Sequence, residues 1–360
     1  MRRTPALIVG GGPAGSAAAI ALAGAGVESE LVERTQGPHD TVCGGFLGWD
    51  SLAALERLGL DPAELGARPI QRLRLISAER SVEVDLPQAA AGLSRRTLDE
   101  ALLEAAQRAG AVVTRGRTVR AADLAERRVR LDDEDWLAGE ALVLATGKHE
   151  LRGGARPVDI STRPLGLRVS LQPSQGLRNS LDGVIELHLY DGGYAGLLLQ
   201  DDGTANLCLS ASRDRLKEAG GVERLVEQLA GELPAFGERL GQGEAGSWSA
   251  VSGVPYGWRA DGTVEGVYRV GDQAAVIASL AGDGIAIALE SGLAAARAIV
   301  GGVSAADYQR DWSRRARRPV GLAEILRRCA ENPAARQAMM GLLGWFPSLA
   351  PLAAKLTRIG

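Results

Sequence analysis

Residues 6–15 read Ala6-Leu7-Ile8-Val9-Gly10-Gly11-Gly12-Pro13-Ala14-Gly15, an apolar run that breaks into a glycine-rich turn. An alanine-rich stretch from Gly15 to Ala25 follows, and Glu30 to Glu33 returns to strand-like residues. Strand, glycine turn, helix and strand make a βαβ opening. Gly10, Gly12 and Gly15 hold the G-x-G-x-x-G spacing in the context where it binds the phosphates of a dinucleotide. Gly10 permits the tight turn, Gly12 lets the backbone approach a pyrophosphate, and Gly15 allows close helix packing. Pro13 and Ala14 open the helix, whose N-terminus carries partial positive charge toward the phosphates. Glu33 closes the second strand where a carboxylate accepts the ribose hydroxyls of an adenosine, and Arg34 beside it joins the same set.

The same texture continues outward. Leu98, Ala101, Leu102 and Ala105 have helical spacing in Thr97 to Arg108, and a strand-like Ala111 to Thr114 follows Gly110. A buried-strand run, Ala141 to Ala145, ends at Thr146-Gly147. This alternation predicts a parallel sheet. From about Pro164 to Gly257 short alternating strands take over: Gly166 to Leu171, Val184 to Leu189, Tyr194 to Leu199 and Ala205 to Leu209. Asp201-Asp202-Gly203 serves as a hairpin turn, and one helix, Val222 to Leu233, interrupts the series; an antiparallel sheet is expected. The first texture returns with Val267 to Val270, Gly271-Asp272 and a helix from Gly284 to about Val300. The predicted fold class is thus α/β, α+β overall. A discontinuous Rossmann-type nucleotide domain (1–70, 93–160 and 265–304) holds an inserted substrate domain (71–92 and 161–264), and a helical cap (305–360) follows.

Bulk properties narrow the function. The chain has 360 residues, a formal charge of -3 and a pI near 5.8, which gives no general electrostatic reason to bind nucleic acid. Cys43, Cys208 and Cys329 are scattered, with neither zinc-site nor disulfide-scaffold spacing, so no metal is expected and a reducing cytoplasm fits best. The apolar run passes straight into the glycine turn, which predicts no export signal. The uncharged stretch Ala338 to Ala354 is too short to span a bilayer and is broken by Pro347 and Pro351.

The separation between NAD and FAD comes from the far end of the chain. Val270-Gly271-Asp272 and Gly282-Asp283-Gly284-Ile285 together resemble the distal FAD motif of the p-hydroxybenzoate hydroxylase and geranylgeranyl reductase superfamily, with Ser279 where most relatives have proline. Leu93-Ser94-Arg95-Arg96-Thr97-Leu98-Asp99 and the strand ending at Thr146-Gly147 complete that pattern, and the resemblance spans roughly Ala6 to Val300. It implies FAD as the cofactor: Asp272 on a ribityl hydroxyl, the helix opening at Gly282, Gly284 and Ile285 aimed at the pyrophosphate and flavin O2, and Arg95 in contact with the cofactor. Thr146 replaces an Asp that many aromatic hydroxylases use with FAD and NADPH. No second glycine fingerprint exists, so NAD(P)H is expected as a transient electron donor.

Cys43-Gly44-Gly45-Phe46 resembles the Cys-Gly-Gly loop that lies beside the isoalloxazine in geranylgeranyl reductases. Cys43 either donates a proton or packs as a small apolar group. Gly193-Tyr194-Ala195-Gly196 stands in place of the reductases' Tyr-x-Trp-x-Phe-Pro strand, with Trp and Phe-Pro lost, and the Trp-rich signature of flavin halogenases is also absent. Together with Thr146-Gly147-Lys148-His149-Glu150, these stretches are similar to flavoproteins found beside type III polyketide synthases. Tyr194 lines the pocket or packs in a sheet, and His149 is a general base on a phenol or a structural residue. The resemblance implies monooxygenation of a small apolar or aromatic substrate, a C4a-hydroperoxide of the reduced flavin attacking an electron-rich ring. A flavin-dependent reduction of isoprenoid double bonds and a non-catalytic flavin-binding role are the alternatives. Arg314-Arg315-Ala316-Arg317-Arg318 is a solvated helix face or a dock for NADPH phosphate or anionic membrane. The apolar segment after it, with Trp345 and Phe346, packs over the substrate domain or makes peripheral membrane contact.

Overall fold

Arg3–Val9 forms the spine of the molecule in the computed structural model, which describes residues 3–78, 80–159 and 163–359. Its Ala6, Leu7 and Ile8 are fully buried. The strand pairs in parallel with Ser29–Glu33 on one side and Trp136–Leu144 on the other. Val112–Arg115 extends the sheet past Ser29–Glu33, and Val267–Arg269 adds to Trp136–Leu144, again in parallel. Such central strands are covered on both faces, which is why 141–145 reads as an unbroken apolar run rather than an alternation. Helix Pro13–Gly24 packs against both Arg95–Ala109 and Gly284–Val300. The elements expected for this domain form, most ends within one or two residues, while the strand expected from Ala6 begins at Arg3 and that expected from Ala141 begins at Trp136. Among the described residues this sheet has seven strands, including an antiparallel excursion, Val119–Asp123 and Arg128–Leu131, that the sequence reading lacks. The excursion's strands are short: Val119–Asp123 shows no apolar alternation, and Arg128–Leu131 alternates over only four residues, with Val129 and Leu131 buried.

Among the described residues, a second sheet has nine strands. Its spatial order runs Phe46–Leu47, Arg80–Gly92, Arg68–Ser77, Gly183–Tyr190, Gly193–Leu199, Ala205–Ala211 and Leu165–Pro173, with Gly243–Ala245 and Ser249–Val251 pairing to the last. The sheet is mixed rather than antiparallel throughout, because Gly183–Tyr190 lies parallel to Arg68–Ser77. Parallel neighbours need a long crossover, and the excursion through the first domain between 92 and 165 supplies it. The expected helix Val222 to Leu233 forms as Val222–Glu232, and two helices absent from the sequence reading, Arg213–Ala219 and Pro234–Gly241, flank it. Gly220, in the left-handed region, and Pro234 cut the run. The expected boundary at 160/161 lies outside the described residues, as do 1 and 360.

Strand alternation gives this sheet two distinct faces. Leu167, Val169, Leu171, Ala195, Leu197, Leu207 and Leu209 pack under the helices, against Leu177, Leu225, Leu229 and Phe236. Leu75, Leu187, Leu189 and Tyr194 point the other way and meet Ala330, Met340, Leu343 and Ala350 of the cap. The cap consists of helices Ala305–Glu331, Pro333–Trp345 and Leu349–Leu356. Among the described residues no helix is long and apolar enough to cross a membrane.

Candidate functional site

The glycine turn is built for a ligand that lies against backbone. Gly10 has φ +105°, a conformation side chains rarely adopt, and a Cβ there would sit 2.5 Å from the Ala145 carbonyl oxygen. A Cβ on Gly15 would collide with the Gly10 carbonyl oxygen. Helix Pro13–Gly24 starts at Gly12 with no side-chain cap, so its first-turn N–H groups have no internal acceptor. Glu33 steadies the turn: its Oε2 accepts from Gly11 N–H at 2.7 Å, and its Oε1 accepts from Thr35 N–H at 2.9 Å and from the Thr35 hydroxyl at 2.8 Å. Burial works to raise the Glu33 pKa, but the bonds from Gly11 and Thr35 outweigh it and hold the carboxyl below its usual value.

The distal motif meets this turn in space. Gly12, Pro13, Ala14, Gly271, Asp272, Gly282, Gly284 and Ile285 border a single cavity. Helix Gly284–Val300 opens at Asp283, again with no side-chain cap, so two uncapped helix N-termini face the same space. Gly271 N–H donates to Ser291 Oγ at 2.7 Å, which fixes the loop ahead of Asp272. Asp272 Oδ2 lies 3.3 Å from Lys148 Nζ, and that pairing raises the Lys148 pKa against the cost of burial. Arg95, at the start of Arg95–Ala109, grips Asp99 through Nε and Nη2, both at 2.7 Å, and its guanidinium approaches Gly12. Two phosphate-seeking helix ends, an uncluttered glycine turn and cationic side chains fit an elongated diphosphate cofactor such as FAD. Among the described residues no cluster of His, Cys, Asp and Glu could hold a metal ion.

Two cavities open from this cradle. A polar one of about 510 Å³ is bordered by Glu33, Arg34, Arg95, Thr146, Gly147, Lys148 and His149. His149 Nε2 lies 2.8 Å from Arg34 Nη2, and burial together with the charges of Arg34 and Lys148 lowers its pKa. Thr146 Oγ1 donates to the His149 carbonyl at 2.8 Å. His149 therefore sits on the polar side, apart from Tyr194.

An apolar cavity of about 460 Å³ runs the other way, along the face of the second sheet that carries Leu73, Leu75, Ile185, Leu187 and Leu198, and is roofed by Met339, Leu342, Leu343 and Leu349 of the cap. Cys43, Gly44 and Gly45 line its junction with the cradle. Asn206 Nδ2 donates to the carbonyls of Cys43 at 3.0 Å and Gly44 at 2.8 Å, tying this loop to the second sheet. Cys208 also borders the cavity, and burial pushes its thiol up to about 12.

Several residues here were not assigned from sequence. Lys148 is one; its place directly after Thr146-Gly147 was the available signal. Ser210 and Tyr256 carry no motif. The chain terminus also reaches the site: Arg358 Nη1 binds Asp283 Oδ1 at 2.9 Å and lies over Trp49, while Ile359 N–H donates to Asp283 Oδ2 at 2.9 Å. Burial raises Asp283 to about 7 despite this pairing. Seventy-five residues separate the partners, which leaves no local pattern to read.

Comparison with known proteins agrees with this geometry. Residues 3–141 match the family model of the FAD binding domain. The menaquinone reductase of Mycolicibacterium smegmatis is 28% identical over 334 residues, covering 86% of this chain and 79% of its own length. Digeranylgeranylglycerophospholipid reductase 2 of Methanopyrus kandleri is 29% identical over 310 residues, covering 79% and 74%. The solved flavin-dependent brominase Bmp2, 16% identical, aligns over 99% of this chain and 93% of its own with a TM-score of 0.81, a likeness of fold. Residues 3–141 thus carry an FAD binding domain, and most of the chain is similar to reductases of menaquinone and of digeranylgeranylglycerophospholipid.

Proposed function

We propose that this chain is a monooxygenase that hydroxylates the ring of an apolar substrate bearing a long hydrocarbon tail. The observation that carries the reading is the continuity of one cavity from the glycine cradle onto a leucine-lined sheet face. Glu33, Arg95, Lys148 and Asp272 would hold FAD together with the helices opening at Pro13 and Gly284. FAD, when bound there, supplies two-electron redox chemistry and oxygen activation. One oxygen atom of O2 enters a ring C–H bond and the other leaves as water, with two electrons drawn from a nicotinamide donor. The chain's own work is to bury the tail against Leu73, Leu75, Ile185 and Leu187, exclude water, and keep the Cys43-Gly44-Gly45 loop in place through Asn206. His149 and Arg34 fall to the adenosine side.

Reduction of an isoprenoid double bond is the second reading, favoured by the likeness to a menaquinone reductase and a digeranylgeranylglycerophospholipid reductase and by Cys43-Gly44-Gly45. The hydroxyl groups in the apolar wall suit a ring oxygen better than a hydrocarbon double bond. Oxygen separates the two. Turnover with a reductant should consume O2 in step with product and stop under anaerobic conditions; product formed without O2 would replace hydroxylation by reduction.

The mouth of the cavity favours a membrane-borne substrate. Leu342, which borders the cavity, is half exposed, and beside it in sequence Trp345 is 84% and Phe346 58% exposed. Residues 305–360 carry ten Arg and Lys against four Asp and Glu, in a chain whose total charge is -3. Exposed aromatics on a basic surface suit the headgroup region of an anionic bilayer.

A further inference from the structure

The wall of the apolar cavity has five hydroxyls; Thr357 donates within its own helix, and two of the other four are left without partners. Tyr194 and Ser210 face each other across adjacent strands of the second sheet, in register. Both border the cavity, both are at least nine-tenths buried, and neither Tyr194 Oη nor Ser210 Oγ has a hydrogen-bond partner. Tyr256 Oη and Ser279 Oγ, also on the cavity, are bonded to each other at 3.0 Å. Tyr256 and Ser279 lie close enough to Tyr194 to bear on its acidity; burial, first, and the neighbouring Tyr256 push its phenol well above the usual range, so it stays a protonated donor. Buried hydroxyls are rarely left unpaired unless something else completes them. Apart from the weakly bonding Cys208 thiol, the other cavity residues of these two strands, Gly196, Leu198 and Leu209, carry no polar side chain.

We infer that Tyr194 and Ser210, backed by the Tyr256–Ser279 pair, form a subsite for one oxygen substituent on the ring of the substrate, a phenol hydroxyl or a quinone carbonyl. The inference rests on the proposed ring-headed substrate and adds the residues that orient it. Tyr194 donates to the ligand oxygen, and Ser210 either donates to it or accepts from a phenolic O–H. The tail then lies along Leu73, Leu75 and Leu187 toward the cap. Ser279 matters for the same reason: a proline there could neither bond Tyr256 nor hold its hydroxyl toward the cluster.

The test uses the full chain as purified and two matched probes, 4-octylphenol and octylbenzene, with dissociation constants from calorimetry. The wild type should bind the phenol at least about tenfold tighter than the hydrocarbon, the difference expected of a completed buried hydrogen bond. Tyr194→Phe should remove most of that preference while leaving octylbenzene within about twofold of wild type. Ser210→Ala should remove part of it. Equal affinity of the wild type for both probes, or a Tyr194→Phe variant that weakens both alike, would overturn the subsite and leave the apolar cavity standing. Failure of both probes to bind would overturn the ring-headed, long-tailed substrate reading and this subsite with it.

Discussion

The two faces of the second sheet are made from the same strands and are solved in opposite ways. On the face under the helices, Glu186 is fully buried yet saturated: Arg74 at 2.8 Å, Arg239 at 3.0 Å and His188 Nε2 at 2.8 Å surround its carboxylate. On the cavity face, one residue along the same strand, Ile185 and Leu187 stand in apolar surroundings, and nearby hydroxyls lack partners. A closed polar cluster around a saturated carboxylate stabilises the fold; an open apolar face with unpaired hydroxyls has been left for a ligand. Alternation at period two lets one strand serve both purposes.

Removing the centre of the sealed face should have the largest effect. Glu186→Ala leaves the part-buried Arg74 and Arg239 without their shared carboxylate, and unfolding stability should fall by about 3 kcal/mol in denaturant titration. Octylbenzene affinity, scaled to folded protein, should be unchanged; if it falls in parallel, the two faces are not separable. Acid probes the same group. Burial tends to raise the Glu186 pKa, but bonds and charge from His188 and Arg239 hold it at about 2, below its ordinary 4.5. A depressed carboxyl stabilises fully above 4.5 and loses that contribution as pH falls toward 2, so the melting temperature should drop across this window, and Glu186→Gln should flatten the drop.

The cradle comes next in size. In Gly15→Ala the new methyl group meets the Gly10 carbonyl oxygen, and FAD affinity should fall by about 100-fold, equivalent to about 2.7 kcal/mol of strain and lost contact. Wild-type affinity in this variant would show that the turn does not carry the cofactor. The smallest effect belongs to the cap: replacing Trp345 and Phe346 by Ser should lower partitioning onto vesicles containing phosphatidylglycerol by about tenfold, leaving FAD content and melting temperature unmoved. Equal partitioning of wild type and variant would remove the membrane-facing mouth.

The same contrast explains what could be read from sequence. The cradle is legible because its geometry is local: Gly10, Gly12 and Gly15 must be glycine at fixed spacing, and Gly282 to Ile285 open a helix in one stretch of chain. The parallel core was legible from its apolar runs. The cavity was only half legible. Leu187 and Tyr194 alternate visibly, but Ser210 and Tyr256 acquire meaning only when strands and loops from across the sequence converge. The same holds for Arg358 reaching Asp283 and for Arg239 reaching Glu186. The hairpin of Val119–Asp123 and Arg128–Leu131, joined by the Arg128–Asp123 ion pair, escaped because the alternation of Val129 and Leu131 spans only four residues and its partner strand has none.

The central claim is that one continuous site holds FAD at one end and an apolar ring-bearing ligand at the other. It is tested most directly by the flavin absorption spectrum of the purified chain during titration with 4-octylphenol. The account predicts one FAD per chain and a saturable shift of its long-wavelength band as the phenol fills the neighbouring space. Protein that takes up no FAD, or whose bound flavin spectrum stays fixed while the phenol binds, would contradict it.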